Sequence, residues 1–296
     1  MMKKRAAFTM LELIFVIVVM GFLGTYGVEF LARAYSNFIF TKVNDDLQSR
    51  SETAVEFIAK RLEFRIKKSS RAINTTAGTW NYIHGGISDD NADVLEWIAA
   101  DDDGFRGTTF PLWSGVIDLT SSTNNALVSP GSDFGGVSAL ISNLSDSTLN
   151  DSAIYFIDSK FSFTNPWGYN GAIANQDETL HPIQTTGVND TLAPNGSNFS
   201  GKEISEYYKL TWTANAVRLE NYNNATKMGD LYFYYDYQPW QGEAYTSGKR
   251  VLLAEDISAF RFRSAGALIK IQVCAKSDLL KDENGEYALC KEKTVF

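Results

Sequence analysis

The chain has 296 residues, 44% of them hydrophobic and 13% aromatic, so it can bury a substantial core and is not a disordered polymer. Its formal charge of −8 repels phosphate backbones and argues against general or direct nucleic-acid binding through the net field. With only His84 and His181, a histidine-rich metal site is excluded for this chain alone, and neither histidine sits in a recognisable catalytic signature.

In chain order, the first predicted element is a membrane-length helix. Lys3, Lys4 and Arg5 precede an apolar run from Phe8 to Val28, long enough to cross a bilayer. The basic cluster fits a cytoplasmic amino end under the positive-inside rule. A secretory signal would have a shorter apolar region and a small-residue cleavage site, whereas this run passes directly into a longer helical pattern. Glu12 is the anomaly, because a carboxylate at membrane depth costs about 2.5–3.5 kcal/mol on insertion scales. A plain signal anchor has no need of it.

The order of parts, a basic leader, then Ala7-Phe8, then Glu12 in "FTMLELIFVIVVMG", resembles the class III leader of type IV pilins and type II secretion pseudopilins. The resemblance implies cleavage between Ala7 and Phe8 by a prepilin peptidase, with methylation of the new amine at Phe8. The family usually has Gly where Ala7 stands, a tolerated small substitution. Glu12 then lies one helical turn from that amine. In a filament it would meet the Phe8 amine of a neighbouring subunit, each charge relieving the other's burial cost. The implied partners are the peptidase, other pilins or pseudopilins, an inner-membrane assembly platform and membrane lipid. The implied location is the bacterial inner membrane, single-pass, with the carboxy-terminal domain periplasmic before entry into a filament or the cell surface.

Residues 29–70 read as an amphipathic half of the same helix. Leu47, Ala54, Val55, Ile58, Leu62 and Ile66 recur at three- and four-residue spacing, as a stripe that packs on a globular domain. Gly21, Gly24 and Gly27 weaken the membrane half, either for close helix packing or as a stretch that loosens during extraction.

From residue 71 the period changes to alternation. Strands are expected at 94–99, 153–158, 207–212, 231–237, 251–256, 259–264 and 268–273, with a hairpin at 264–266. In the last strand Ile269, Ile271 and Val273 share one face, opposite Cys274. Residues 114–203, broken only by 153–163, are rich in Ser, Thr, Asn and Gly and read as long surface loops decorating a sheet. The expected fold class is α+β: a long helix on an antiparallel sheet, as in pilins. "GDLYFYYDYQPWQGE" and "VLLAEDISAFRFRSAGALIKIQVCAK" further resemble the carboxy-terminal sheet of J-type pseudopilins and W-type minor pilins.

Several chemical features have a plainer reading beside the functional one. Asp101 and Asp103 before Gly104 echo part of a calcium loop, and some pseudopilins bind calcium, but the later ligands are missing and an acidic turn is the plainer reading. No other cofactor is implied. The aromatic run at 232–240 suggests a sugar platform, although its alternation says strand with Leu231, Phe233, Tyr235 and Tyr237 on one core side. Cys274 and Cys290 enclose a turn-like "KDENGE"; in an oxidising compartment their pairing would contribute about 3 kcal/mol, the alternative being two free thiols. Pilins commonly close a carboxy-terminal loop this way, so the resemblance favours the disulfide. The Asn-x-Ser/Thr triplets at Asn143 and Asn189 are expected by chance in this composition. The functional expectation is a non-enzymatic minor pilin or pseudopilin of a secretion, pilus or DNA-uptake system. The competing class is a membrane-anchored binding or adhesive protein that never polymerises.

Overall fold

The computed structural model describes residues 9–83, 91–158, 164–279 and 287–296. Ala7, Phe8, His84 and the 281–286 segment lie outside them.

Helix α1 spans Met10–Glu63, and the three glycines of its first half do not break it. Burial starts only at Val43 and continues through Leu47, Ser51, Ala54, Val55, Ile58, Ala59 and Leu62, so the amphipathic spacing does become the packing face. The helix was expected to run to residue 70, and it stops earlier. Arg65 forms an antiparallel bridge with Ala99, and Ile66 N donates to Ile98 O at 2.9 Å. The buried Arg65 side chain donates to Leu62 O at 2.7 Å, a carbonyl that also accepts from Arg65 N at 3.2 Å, and to Ala267 O at 2.9 Å. Edge pairing and a carbonyl-binding cation therefore win over further helical turns. A single 3-10 turn at Lys67–Ser69 follows.

Beyond it come β1 (Arg71–Asn74), β2 (Thr79–Tyr82) and β3 (Val94–Ala99). The middle of the chain supplies α2 (Asp102–Arg106), β4 (Leu127–Val128), α3 (Phe134–Leu144), β5 (Ala153–Phe156), β6 (Leu180–Thr185), β7 (Thr191–Pro194) and β8 (Tyr208–Thr211). The remainder gives β9 (Thr213–Asn223), β10 (Met228–Tyr235), β11 (Lys249–Ala265), β12 (Leu268–Ser277) and β13 (Tyr287–Val295). Eight strands form one antiparallel sheet in the order β13-β12-β11-β10-β9-β3-β1-β2, and five form a second, β4-β7-β6-β5-β8. The α+β class is thus observed.

Alternation along single strands shows how the layers stack. In β3, Leu95 and Trp97 enter the core under α1 with Val217, Phe233, Ile271 and Val273. Val94 and Ile98 point the other way, into a core shared with Ala153, Tyr155 and Leu180 of the second sheet. In β5, Ile154 and Phe156 face outward again, into a third core with Val137 and Ile141 of α3. The order is helix, large sheet, small sheet, short helix. Residues 114–203 are therefore not only surface loops: they carry α3, β4 to β7 and most of that third core. Their apolar residues are too widely spaced among Ser, Thr and Asn to show a period.

Two further expectations are corrected. Residues 251–256 and 259–264 belong to one continuous strand, β11, whose register shifts between Ile257 and Ala259 beside Asp256 at φ +58°. The polar "EDIS" interruption is a bulge rather than a turn. Tyr237 does not join Leu231 and Phe233, because Asp236 at φ +60° reverses the side-chain sense and sends Tyr237 into the second core. The hairpin at 264–266 is present, with Ala265 paired to Leu268 and Gly266 at φ +64°.

Candidate functional site: the amino-terminal helix

The first half of α1 leaves the folded domain altogether. Its most apolar window has a mean hydropathy of 2.1 and no residue buried by the rest of the chain. Large side chains such as Phe15 (68% exposed), Phe22 (62%) and Phe30 (71%) are covered by no partner surface among the described residues, so in isolation they would face water. A helix that is apolar over this length fits a bilayer. The described residues contain one such helix, and by length and composition it can be a membrane anchor or a signal sequence.

At its start, Thr9 is the N-cap, its hydroxyl accepting from Glu12 N at 3.3 Å. Glu12 thereby occupies the third helical position, where the partial positive charge of the helix end favours an anion. This local role was legible in the Thr9-x-x-Glu12 spacing, a helix-start signature that sequence reasoning missed. Glu12 is exposed, and no ion pair engages its carboxylate among the described residues. A Cβ added at Gly21, Gly24 or Gly27 would meet nothing within 4 Å, so these glycines serve no close packing inside the chain. Glu29 and Arg33 pair with each other one turn apart.

At the other end of the chain Cys274 and Cys290 are joined. They are directly opposed in the β12–β13 ladder, so the loop is closed by an antiparallel strand returning along β12. Cys274 sits on the face opposite Ile271 and Val273, as the alternation requires, yet is 7% exposed.

Asp101 and Asp103 are not brought into one ligand set. Asp101 is buried and caps α2, accepting from Gly104 N at 3.1 Å, Trp113 Nε1 at 3.0 Å and Trp212 Nε1 at 3.3 Å. Burial pushes its carboxyl above the usual range, and the three N–H donors oppose that. Asp103 is exposed. Among the described residues no group of three or more His, Cys, Asp or Glu is placed to hold a metal. In the aromatic run, Phe233 meets Phe57 of α1 edge-on at 5.1 Å, which is core packing. An open groove of about 640 Å³ runs beside the end of α1, between Lys60, Arg61, Asp102, Trp212, Tyr235 and Val251.

Comparison of the chain with protein-family models, with curated proteins and with solved structures found no match.

Proposed function

We propose that this chain is a pilin-like subunit: a β-rich exported head carried on a helix held in the membrane and then built into a short filament with other pilins or pseudopilins. One observation carries the reading. A single 54-residue helix is exposed and apolar over its first half, buried against a sheet over its second, and has an acid in its first turn. Such a helix serves storage in lipid and lateral packing among copies, while the head stays folded in either place. The residues before Met10, including the Ala7-Phe8 junction, supply the expected peptidase site, and Glu12 the expected partner for a neighbour's Phe8 amine.

The test is the mass of the native protein. A peptidase-positive host should yield a chain that begins at Phe8 and carries an amine methyl. A chain retaining Lys3 to Arg5 would return the protein to the competing class of anchored binding proteins, which the open groove beside α1 favours.

A further inference from the structure

The apolar surface of α1 does not end where a minimal membrane span would. One helix face, exposed throughout, reads Leu31, Tyr35, Phe38, then Lys42, Asp45, Ser49, Glu52 and Glu56 at spacings of three and four. The first three are 61–68% exposed. Nothing in the backbone changes between Phe38 and Lys42; only the character of the side chains does. On an exposed face, that change records a change of solvent.

We infer that the outer water boundary lies at Phe38 to Lys42 rather than near Val28, so that the head sits directly on the lipid headgroups with no stalk beneath it. The inference rests on the reading that α1 crosses a membrane. Three observations converge on it. From Met10 to Phe38 the helix is about 43 Å long at 1.5 Å per residue, matching a bilayer of about 40–45 Å with its headgroup layers. The added segment holds Phe30, Tyr35, Phe38 and Phe40, the aromatic enrichment of a membrane–water interface. Its charges, Glu29 and Arg33, neutralise one another. The head also begins at that level. The Phe40 and Tyr287 rings are 5.7 Å apart, and Tyr287 Oη donates to Asn44 Oδ1 at 2.9 Å. Leu279, 77% exposed, follows the end of β12 at this same rim.

A neighbouring helix is the other occupant to consider. It would cover the Leu31–Tyr35–Phe38 face but leave Phe30, which lies on another side of the helix and is 71% exposed. Lipid covers every side.

The experiment uses the full chain at one copy per nanodisc of phosphatidylethanolamine and phosphatidylglycerol. Nitroxides are placed through Ile17→Cys, Tyr35→Cys, Phe38→Cys and Ser49→Cys, with Cys274–Cys290 left oxidised. Collisions with oxygen, which partitions into lipid, are compared with collisions with a water-soluble nickel chelate. The expected result is an oxygen-to-nickel ratio at 35 and 38 several-fold above that at 49 and approaching that at 17. Labels at 35 and 38 as nickel-accessible as at 49, with 17 still protected, would overturn the inference and leave the membrane reading intact. Protection at 35 and 38 only in discs holding several copies would overturn it in favour of a second chain. Nickel access at 17 would sink the membrane reading itself.

Discussion

Glu96→Gln isolates a buried charge pair between the two sheets. Glu96 is fully buried on β3; Arg71 Nε donates to Glu96 Oε2, and Tyr237 Oη donates to Oε1 at 2.9 Å. The Arg71 guanidinium lies 3.8 Å from the Tyr169 ring centre and 4.9 Å from that of Trp80, so aromatic faces replace most of its water. Burial alone would weaken its hold on the proton, but the Glu96 carboxylate more than offsets this and keeps Arg71 above its ordinary value. The glutamine keeps the volume and an acceptor for Tyr237 but removes the counter-charge. A desolvated guanidinium left unpaired costs about 3–5 kcal/mol. Adding Arg71→Met removes the orphaned cation, and the double variant should recover all but about 1–2 kcal/mol, because no charge then stays buried without a counter-charge and only the new amide is left imperfectly hydrogen-bonded. Urea unfolding of the detergent-solubilised chain, followed by tryptophan fluorescence, reads both numbers. A Glu96→Gln loss below about 1 kcal/mol, or a double variant no better than the single, would refute the argument.

His181 is buried beside Phe156 and Phe199, its Nδ1 3.1 Å from Gln176 Oε1, and burial lowers its pKa from 6.5 to about 4. Between those values the unfolded chain binds a proton that the folded chain does not, so stability rises with pH across this window. About 3 kcal/mol is present above pH 6.5 and progressively lost toward pH 4; His181→Gln should flatten that slope in a pH series of urea midpoints, and an unchanged slope would count against the assignment. Cys290→Ser should cost about 3 kcal/mol by loop closure, with the same loss on reducing the wild type. Non-reducing peptide mapping of native protein should find the two cysteines linked, and freely alkylated thiols would contradict an oxidising location.

Periodicity showed the parts of this fold whose two faces differ. α1 was legible from its three-and-four spacing, β12 from the alternation of Ile269, Ile271 and Val273, and β3 as a short apolar run that enters a core on each face. β9 escaped because its inward residues include Ala214 and Ala216, which are too small to stand out although they lie at the middle of the large sheet. β13 escaped because it is an edge strand carrying Lys291, Glu292 and Lys293, which reads as a solvated loop. Lys291 and Lys293 instead meet Glu52 and Glu56 of α1. The end of α1 was set by a long-range partner, Ala99, which leaves no local trace, whereas Tyr237 was turned into the second core by the positive φ of the adjacent Asp236. At the candidate site, Glu12 was conspicuous as an acid in an apolar run, and its placement by the Thr9 cap was legible too, in the Thr9-x-x-Glu12 spacing.

The central claim, that Glu12 serves assembly between copies, is tested most directly by Glu12→Leu measured against wild type at equal membrane levels. Removing the carboxylate should leave insertion at least as good, because it deletes a cost of about 2.5–3.5 kcal/mol at membrane depth. The head should stay folded, since the exposed Glu12 touches none of its strands. Losing a charge-assisted contact of about 1.5–3 kcal/mol should nevertheless lower copurification with filament partners about tenfold or more, with Glu12→Gln in between. Copurification of Glu12→Leu at the wild-type level would contradict the account and leave Glu12 as no more than the favourably placed acid of a capped anchor helix.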